Sequence, residues 1–280
     1  MNKLPLLALL ATLAVATALP AQTAAAPSGE KSSFRPNYHK DPDALLQDQA
    51  AVLFNQSYAV LDAYRPTVNP GIERKLALFA IDTLLHDPRL DYTPAFLAQM
   101  DDVVRRVAAT LASPGPLPPL RIIRFYNHGF ILKTPTVTIA IDIIRGGKTH
   151  DPKTANARNF LTEEQLRPIV ALCDVLLVSH EHGDHADPVV AKMFCDQGKP
   201  VVAPPGIWRE ISPLIVRPRA ADATAPAETT LALGPKKHPL RVRAYPGHQG
   251  KILNNLYLIT TPEGKTILHT GDQSGGPDMP

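Results

Sequence analysis

The stretch DVLLVSHEHGDHADP, residues 174–188, decides how this chain is read. Its first half, DVLLVS, is a short apolar run without alternation, the pattern of a strand buried on both faces. Its second half sets His180, His182 and His185 within six residues, with Asp184 among them, where that strand ends and the chain must turn. At such a turn the alternate residues His180 and His182 point one way while Asp184 and His185 fold round the other side. One segment then offers ligands to two adjacent metal ions. Imidazole and carboxylate without thiolate suit Zn2+, with Mn2+ or Fe2+ as the other fitting ions, rather than copper(I). A solvated loop with chance histidines is the bland alternative, and the agreement of spacing, strand context and carboxylate outweighs it.

Upstream of this stretch the period of the apolar residues is two. LRIIRFY (120–126), GFILKT (129–134) and TVTIAIDI (136–143) read as antiparallel strands separated by short breaks. In the third, Val137, Ile139, Ile141 and Ile143 share one face, which defines a core side, and Thr138, Ala140 and Asp142 share the other. A helix follows at TEEQLRPIVAL (162–172), where Thr162 and Gln165 have the spacing of a capping box. Further upstream the period changes again. ALLQDQAAVLFNQSYAVLDAY (44–64), IERKLALFAIDTLLHD (72–87) and PAFLAQMDDVVRRVAATLA (94–112) each carry apolar residues three or four apart, so residues 44–117 form a helical N-terminal region. Its plainest role is to pack on the sheets, with dimerisation or partner binding as the sharper alternative.

Downstream, DPVVAKMFCDQ (187–197) reads as a helix and PVVAP (200–204) as a short strand, while PRAADATAPAE (218–228) reads as a Pro/Ala-rich loop. Strands resume with TTLALG, LRVRAYPG, NNLYLIT and KTILHTGD, the last ending at Asp272. Strands in two batches, with helices between and outside them, predict two sheets packed face to face and covered by helices, a layered α/β arrangement.

The first residues, MNKLPLLALLATLAVATALPAQTAAA, combine a basic start at Lys3, an apolar run from Leu4 to about Leu19 and small residues beyond. This is the pattern of a signal peptide over 1–21, predicting a periplasmic or secreted protein with no stable membrane insertion after cleavage. Residues 22–43 read as a linker. Lys and Arg number 29 against 26 Asp and Glu, a net charge of +3, too small to argue for nucleic acid or an anionic membrane. The expected partner is therefore a small-molecule substrate. Cys173, inside IVALCDVLLV, reads as a buried small hydrophobe rather than half of a disulfide with Cys195, and no C-x-x-C spacing supports thiolate metal binding.

Two weaker signals gain meaning beside the histidine cluster: His248 in AYPGHQG and Asp272 in LHTGDQ, each just after a strand. With them, H-x-H-x-D-H at 180–185, a later single histidine and a later T-G-D resemble the metallo-β-lactamase-like superfamily from about Leu120 onward. The branch that FYNHGFILKT (125–134) resembles is that of the ascorbate-phosphate lactonases, which implies a place for His128 at the edge of the site. The resemblance implies a four-layer αββα sandwich over 118–280. It implies one ion held by His180, His182 and His248, a second by Asp184 and His185, and Asp272 bridging them. Asp142 matches the family's supporting carboxylate. By the same resemblance Asp184 is the catalytic residue that orients a metal-activated hydroxide, for attack on an ester, lactone, amide or phosphoester. The family also places a last histidine some tens of residues after T-G-D, so the sequence, ending at Pro280, is read as stopping before that motif. The rival readings are a mononuclear iron dioxygenase of the same fold and a non-catalytic metal-binding protein. His86 and His269 are assigned to a helix end and to strand packing, without chemistry.

Overall fold

Side-chain caps set four of the five described helix starts. The computed structural model describes residues 40–87, 90–114, 118–147, 159–208, 211, 214–218, 226–249 and 251–273, apart from the side chain of His248. The leader, most of the linker and most of the Pro/Ala-rich loop expected from the sequence lie outside these residues. Helix α1 (Pro42–Ala63) begins two residues earlier than its apolar period, because Asp41 accepts a hydrogen bond from the Ala44 amide and Pro42 sits at its first turn. Helix α2 spans Ile72–Leu85, and α3 spans Pro94–Ala112 with Thr93 as its cap. Helix α4 (Glu163–Leu172) carries the expected capping box between Thr162 and Gln165. In α5 (Pro188–Asp196), Asp187 accepts from the amides of Val189 and Val190. No helix among the described residues is long and apolar enough to cross a membrane.

The first sheet has six strands, in the order β1 (Arg121–Arg124), β2 (Phe130–Lys133), β3 (Thr138–Ile141), β4 (Val175–Leu177), β5 (Val201–Val202) and β6 (Ile215–Val216). The first three pair antiparallel. From β3 onward the pairing is parallel, with α4 crossing from β3 to β4 and α5 from β4 to β5. This explains the unbroken apolarity of VLLV, since a strand with parallel neighbours on both sides has helices over one face and other structure over the other. The two-residue strand β6 carries too little pattern to be legible in the sequence. The second sheet is an antiparallel meander of β7 (Ala227–Leu233), β8 (His238–Gln249), β9 (Ile252–Thr260) and β10 (Thr266–His269), in the order β10-β9-β8-β7.

Two apolar clusters divide the interior. Ile131, Ala140, Leu176, Val178 and Val201 face the helices and join one cluster with Phe54, Phe96, Met100, Leu166 and Phe194. Leu132, Ile139, Ile141, Val175, Leu177 and Val202 face the other way and meet Leu231, Leu240, Val242, Tyr257 and Ile259 of the second sheet. The expectation that one face of the third strand defines the core is therefore corrected, because β3 is buried on both faces. Ile143 also leaves the Ile139 and Ile141 cluster for the helix side. Asp142 between them sits at φ +49°, which breaks the alternation. The described residues thus make three layers, helices, sheet and sheet, and no described helix covers the outer face of the second sheet. Cys173 and Cys195 are both free thiols, and burial pushes the Cys173 thiol up to about 12.

Candidate metal centre

Strand β4 runs out at Leu177, and Val178 and Ser179 carry the chain to the edge where the two sheets meet. Two bonds from β9, one from its backbone and one from a side chain, hold it there. The Asn255 amide donates to the Ser179 carbonyl at 2.8 Å, and the Tyr257 hydroxyl donates to the Val178 carbonyl at 2.7 Å. Asn255 Nδ2 in turn donates to the Tyr257 hydroxyl at 3.1 Å. Immediately after this anchor the segment 180–186 winds into a turn in which the His182 carbonyl accepts from the amides of His185 and Ala186, at 2.9 and 2.7 Å. That turn brings the three imidazoles together, with ring centroids 4.8 Å apart for His180 and His182 and 4.1 Å apart for His180 and His185.

Asp142 organises the ring nitrogens. Its side chain is fully buried, and Oδ1 accepts from the Ser179 amide at 2.7 Å. Oδ2 accepts from the Ser179 hydroxyl at 2.7 Å, from His185 Nδ1 at 2.8 Å and from His269 Nε2 at 3.0 Å. Burial works to raise the Asp142 pKa, yet the hydrogen bonds and charge of His185 and His269 prevail and hold it well below the usual carboxylate range. An ionised carboxylate only accepts, so His185 carries its proton on Nδ1. The single Ser179 hydroxyl hydrogen goes to Asp142. His180 Nδ1, 3.0 Å from that hydroxyl oxygen, is therefore also the donor in its bond.

Both tautomers are thereby fixed, and in the neutral rings the Nε2 atoms of His180 and His185 are left as lone pairs. Both atoms are buried and have no hydrogen-bond partner among the described residues. Leaving such an atom unpaired costs about 1–3 kcal/mol, so two side by side call for an acceptor of electron pairs. Burial and the neighbouring His185 ring push the His180 pKa down to about 4, keeping that lone pair free of a proton. For His185, burial acts downward, but the carboxylates of Asp142, Asp184 and Asp272 outweigh it and raise the pKa.

Asp184, His185, Asp272 and His128 offer ligand atoms that all lie within 4.8 Å of one another. His185 Nε2 is 3.3 Å from Asp272 Oδ2 and 3.8 Å from Asp184 Oδ2, and His128 Nδ1 is 3.7 Å from Asp272 Oδ1. The His128 ring stacks on His185 with centroids 4.4 Å apart. His128 rides on a tight turn closed by the Gly129 amide on the Tyr126 carbonyl, and Gln249 Nε2 steadies Asp272 at 3.2 Å. His182 and Asp184 line a cleft of about 530 Å3 together with Gly147, Glu181 and Gly183.

Of the residues singled out in the sequence, His180, His182 and His185 meet ring to ring, and Asp184, His185 and Asp272 converge with His128. His248 stands opposite Leu253 in β8, and its side chain lies outside the described residues. Sequence reasoning missed Ser179 and misassigned His269, which bonds Asp142 rather than merely packing. The alternation of β10, with Ile267 and His269 half-buried and Thr266 and Leu268 exposed, is the signal that turns His269 inward.

The fold and this cluster define a two-sheet α/β protein with a helical N-terminal region and a His/Asp site able to hold metal. No sequence family and no curated protein matches the chain. Among solved structures it is similar to a protein of Parabacteroides distasonis named for metal-dependent hydrolysis, at 17% identity and a TM-score of 0.36, over 57% of this chain and 63% of that one. It is similar to Igni18, a metallo hydrolase of the archaeon Ignicoccus hospitalis, at 16% identity and a TM-score of 0.37, with 57% and 63% covered. It is also similar to a variant of the β-hydroxylase CmlA, at 16% identity and a TM-score of 0.36, over 66% of this chain and 42% of that one. The chain thus spans less than two thirds of the length of each. At these identities the chemistry of the site is read from this chain's own residues.

Proposed function

We propose that the chain is a metal-dependent hydrolase of the metallo-β-lactamase type, acting on an ester, lactone, amide or phosphoester. One observation carries this reading: the buried, unpartnered Nε2 atoms of His180 and His185, with tautomers fixed by Ser179 and Asp142, beside the carboxylates of Asp184 and Asp272. The donor set of imidazoles and carboxylates fits zinc, with manganese or iron as the other candidates. In a two-ion arrangement His180, His182 and His248 would hold one ion, Asp184 and His185 the other, with Asp272 available to both.

When bound, the metal supplies positive charge that lowers the pKa of water and stabilises a developing oxyanion. The chain's own residues do the rest. Asp184, which lines the cleft, orients the attacking water. Asp142 and Ser179 keep the two imidazoles aimed while charge develops, and the cleft, within the range of about 300–1,000 Å3 typical of small-molecule sites, admits the substrate. The leader over 1–21 and export to the periplasm or beyond belong to the same proposal.

The test is elemental analysis of the purified chain beside His180→Ala and His185→Ala variants, followed by a screen of esters, lactones and phosphodiesters. Near two zinc ions per chain, reduced in both variants, with turnover of one substrate class, supports the reading. A folded chain that takes up no divalent metal sinks it, and metal without turnover points to the non-catalytic alternative.

A further inference from the structure

We propose that His269 is a positioning residue of the metal centre, holding Asp142 from the second sheet so that His185 presents Nε2 to the ion. The inference rests on the metal reading only for its consequence, since the clamp itself is a property of the protein alone. Asp142 follows β3 in the first sheet, and its other donors, Ser179 and His185, both come from the segment after β4 in that same sheet. His269 ends β10 in the second sheet and reaches Asp142 Oδ2 across the junction, Nε2 to oxygen at 3.0 Å.

Packing does not account for an imidazole at this place. Along β10 the other inward residue is Ile267, packed with the cluster between the sheets, and an apolar side chain would continue that pattern at lower desolvation cost. Nor does Asp142 lack donors without His269, because the Ser179 amide, the Ser179 hydroxyl and His185 Nδ1 already satisfy both of its oxygens. What a further donor adds is direction. With bonds only from Ser179 and His185, both on one segment, the carboxylate is held less firmly about its last torsion, and His185 with it. A donor arriving from the opposite sheet closes that freedom and ties the site's alignment to the docking of the two sheets. The Phe130 ring, 6.3 Å from the His269 ring and nearly edge-on, limits the imidazole's own rotation. His269 is only 14% exposed, so water has poor access to replace it.

The experiment compares His269→Phe, which keeps a planar ring without the donor, with His269→Gln, whose side-chain amide retains an N–H at similar reach. Two measurements are made on the full chain. Long-range proton–nitrogen correlation spectra of the metal-free protein, recorded at a pH high enough that His185 is neutral, read its tautomer. Competition against a chromophoric chelator reads zinc affinity. The expected result is a single Nδ1–H tautomer in the wild type and in His269→Gln, a mixture in His269→Phe, and zinc affinity lowered roughly tenfold in His269→Phe with recovery in His269→Gln. An unchanged tautomer in His269→Phe, or equal losses in both variants, overturns the proposal. A wild type that shows the fixed tautomer yet binds no zinc fails the hydrolase reading and leaves the clamp standing, so the two failures are distinguishable.

Discussion

His185 Nδ1 and Asp142 Oδ2 face each other at 2.8 Å, and neither side chain has any exposed surface. A carboxylate in that position has no water to fall back on, so its charge is held by donors alone. Asp142→Asn replaces an acceptor with a group that must turn an amide N–H toward at least one of Ser179, His185 or His269. Breaking such a buried arrangement costs about 3 kcal/mol. Urea unfolding of the metal-free protein is expected to show that loss, and chelator competition a 10–100-fold weaker hold on zinc. Wild-type zinc affinity in Asp142→Asn would show that the carboxylate does not aim His185.

The same buried groups set how the metal-free protein responds to acid. His180 titrates at about 4 in the folded protein because of its burial and the His185 ring, against about 6.5 in an unfolded chain. The unfolded chain therefore takes up the proton first, and stability falls as pH drops from about 6.5 to about 4. His185, raised by its carboxylates, has the opposite sign. Its contribution is complete below about 6.5 and is lost as pH rises through its raised folded value. Asp142, held low, contributes above the ordinary carboxylate value of about 3.9 and fails only beneath it, so it does not cause the decline between 6.5 and 4. In thermal melts with chelator present, His180→Asn, which keeps a donor for Ser179 but does not titrate, is expected to flatten that decline. Parallel wild-type and variant curves would refute the assignment.

Much of this was legible in the sequence where local chemistry and final structure coincide. Caps at Thr93, Thr162 and Asp187 act within three residues of themselves, so the helices they start can be read from the chain alone. The apolar run VLLV announced a strand covered on both sides, and the spacing of His180, His182 and His185 announced their meeting. What stayed hidden depends on contacts between residues far apart in the chain, such as His269 to Asp142, 127 residues apart, and Tyr257 to Val178, 79 apart. The left-handed backbone at Asp142 belongs to the same class. It turns Ile143 to the helix side, and no alternation rule anticipates such a reversal inside an apolar run.

Tyr257 joins the sheets by a single hydroxyl. Fully buried, it donates to the Val178 carbonyl at 2.7 Å and accepts from Asn255 Nδ2 at 3.1 Å, and burial drives its pKa far up, so it stays a donor. Tyr257→Phe keeps the ring in the cluster between the sheets and strands both partners. The expected loss is about 1–3 kcal/mol in urea unfolding, with faster amide hydrogen exchange at Asn255, whose N–H anchors Ser179. An unchanged midpoint would mean that the Val178 carbonyl finds another donor.

The ionised pair of Arg145 and Asp187 holds the chain leaving β3 against the start of α5. Asp187, buried, accepts from Arg145 Nε at 2.9 Å, Arg145 Nη2 at 3.1 Å and the Arg145 amide at 3.1 Å while capping the helix. Asp187→Ala strands a guanidinium that is only 15% exposed and uncaps α5 at once, for an expected 3–5 kcal/mol. Asp187→Asn, which keeps the cap, is expected to recover the smaller share of that loss. Equal losses in the two variants would show that the charge alone matters.

Gly271 is where the loop after β10 passes against Ser179 and Asn254. Its φ is +55°, and a Cβ built there lies 2.3 Å from Asn254 Oδ1 and 2.8 Å from Ser179 Cβ. Gly264 supplies the control, with φ +77° and nothing within 4 Å of its own Cβ. Gly264→Ala therefore isolates the backbone cost, about 1 kcal/mol. Gly271→Ala adds overpacking of about 1–3 kcal/mol, and the neighbours it presses on are Asn254 and Ser179, whose hydroxyl fixes the His180 tautomer. The two variants are thus expected to separate in two ways: Gly271→Ala unfolds at lower urea than Gly264→Ala, and it alone weakens zinc binding. Equal stability in the pair would refute the close approach. A stability loss with unaltered zinc affinity would show that Ser179 can shift without releasing His180.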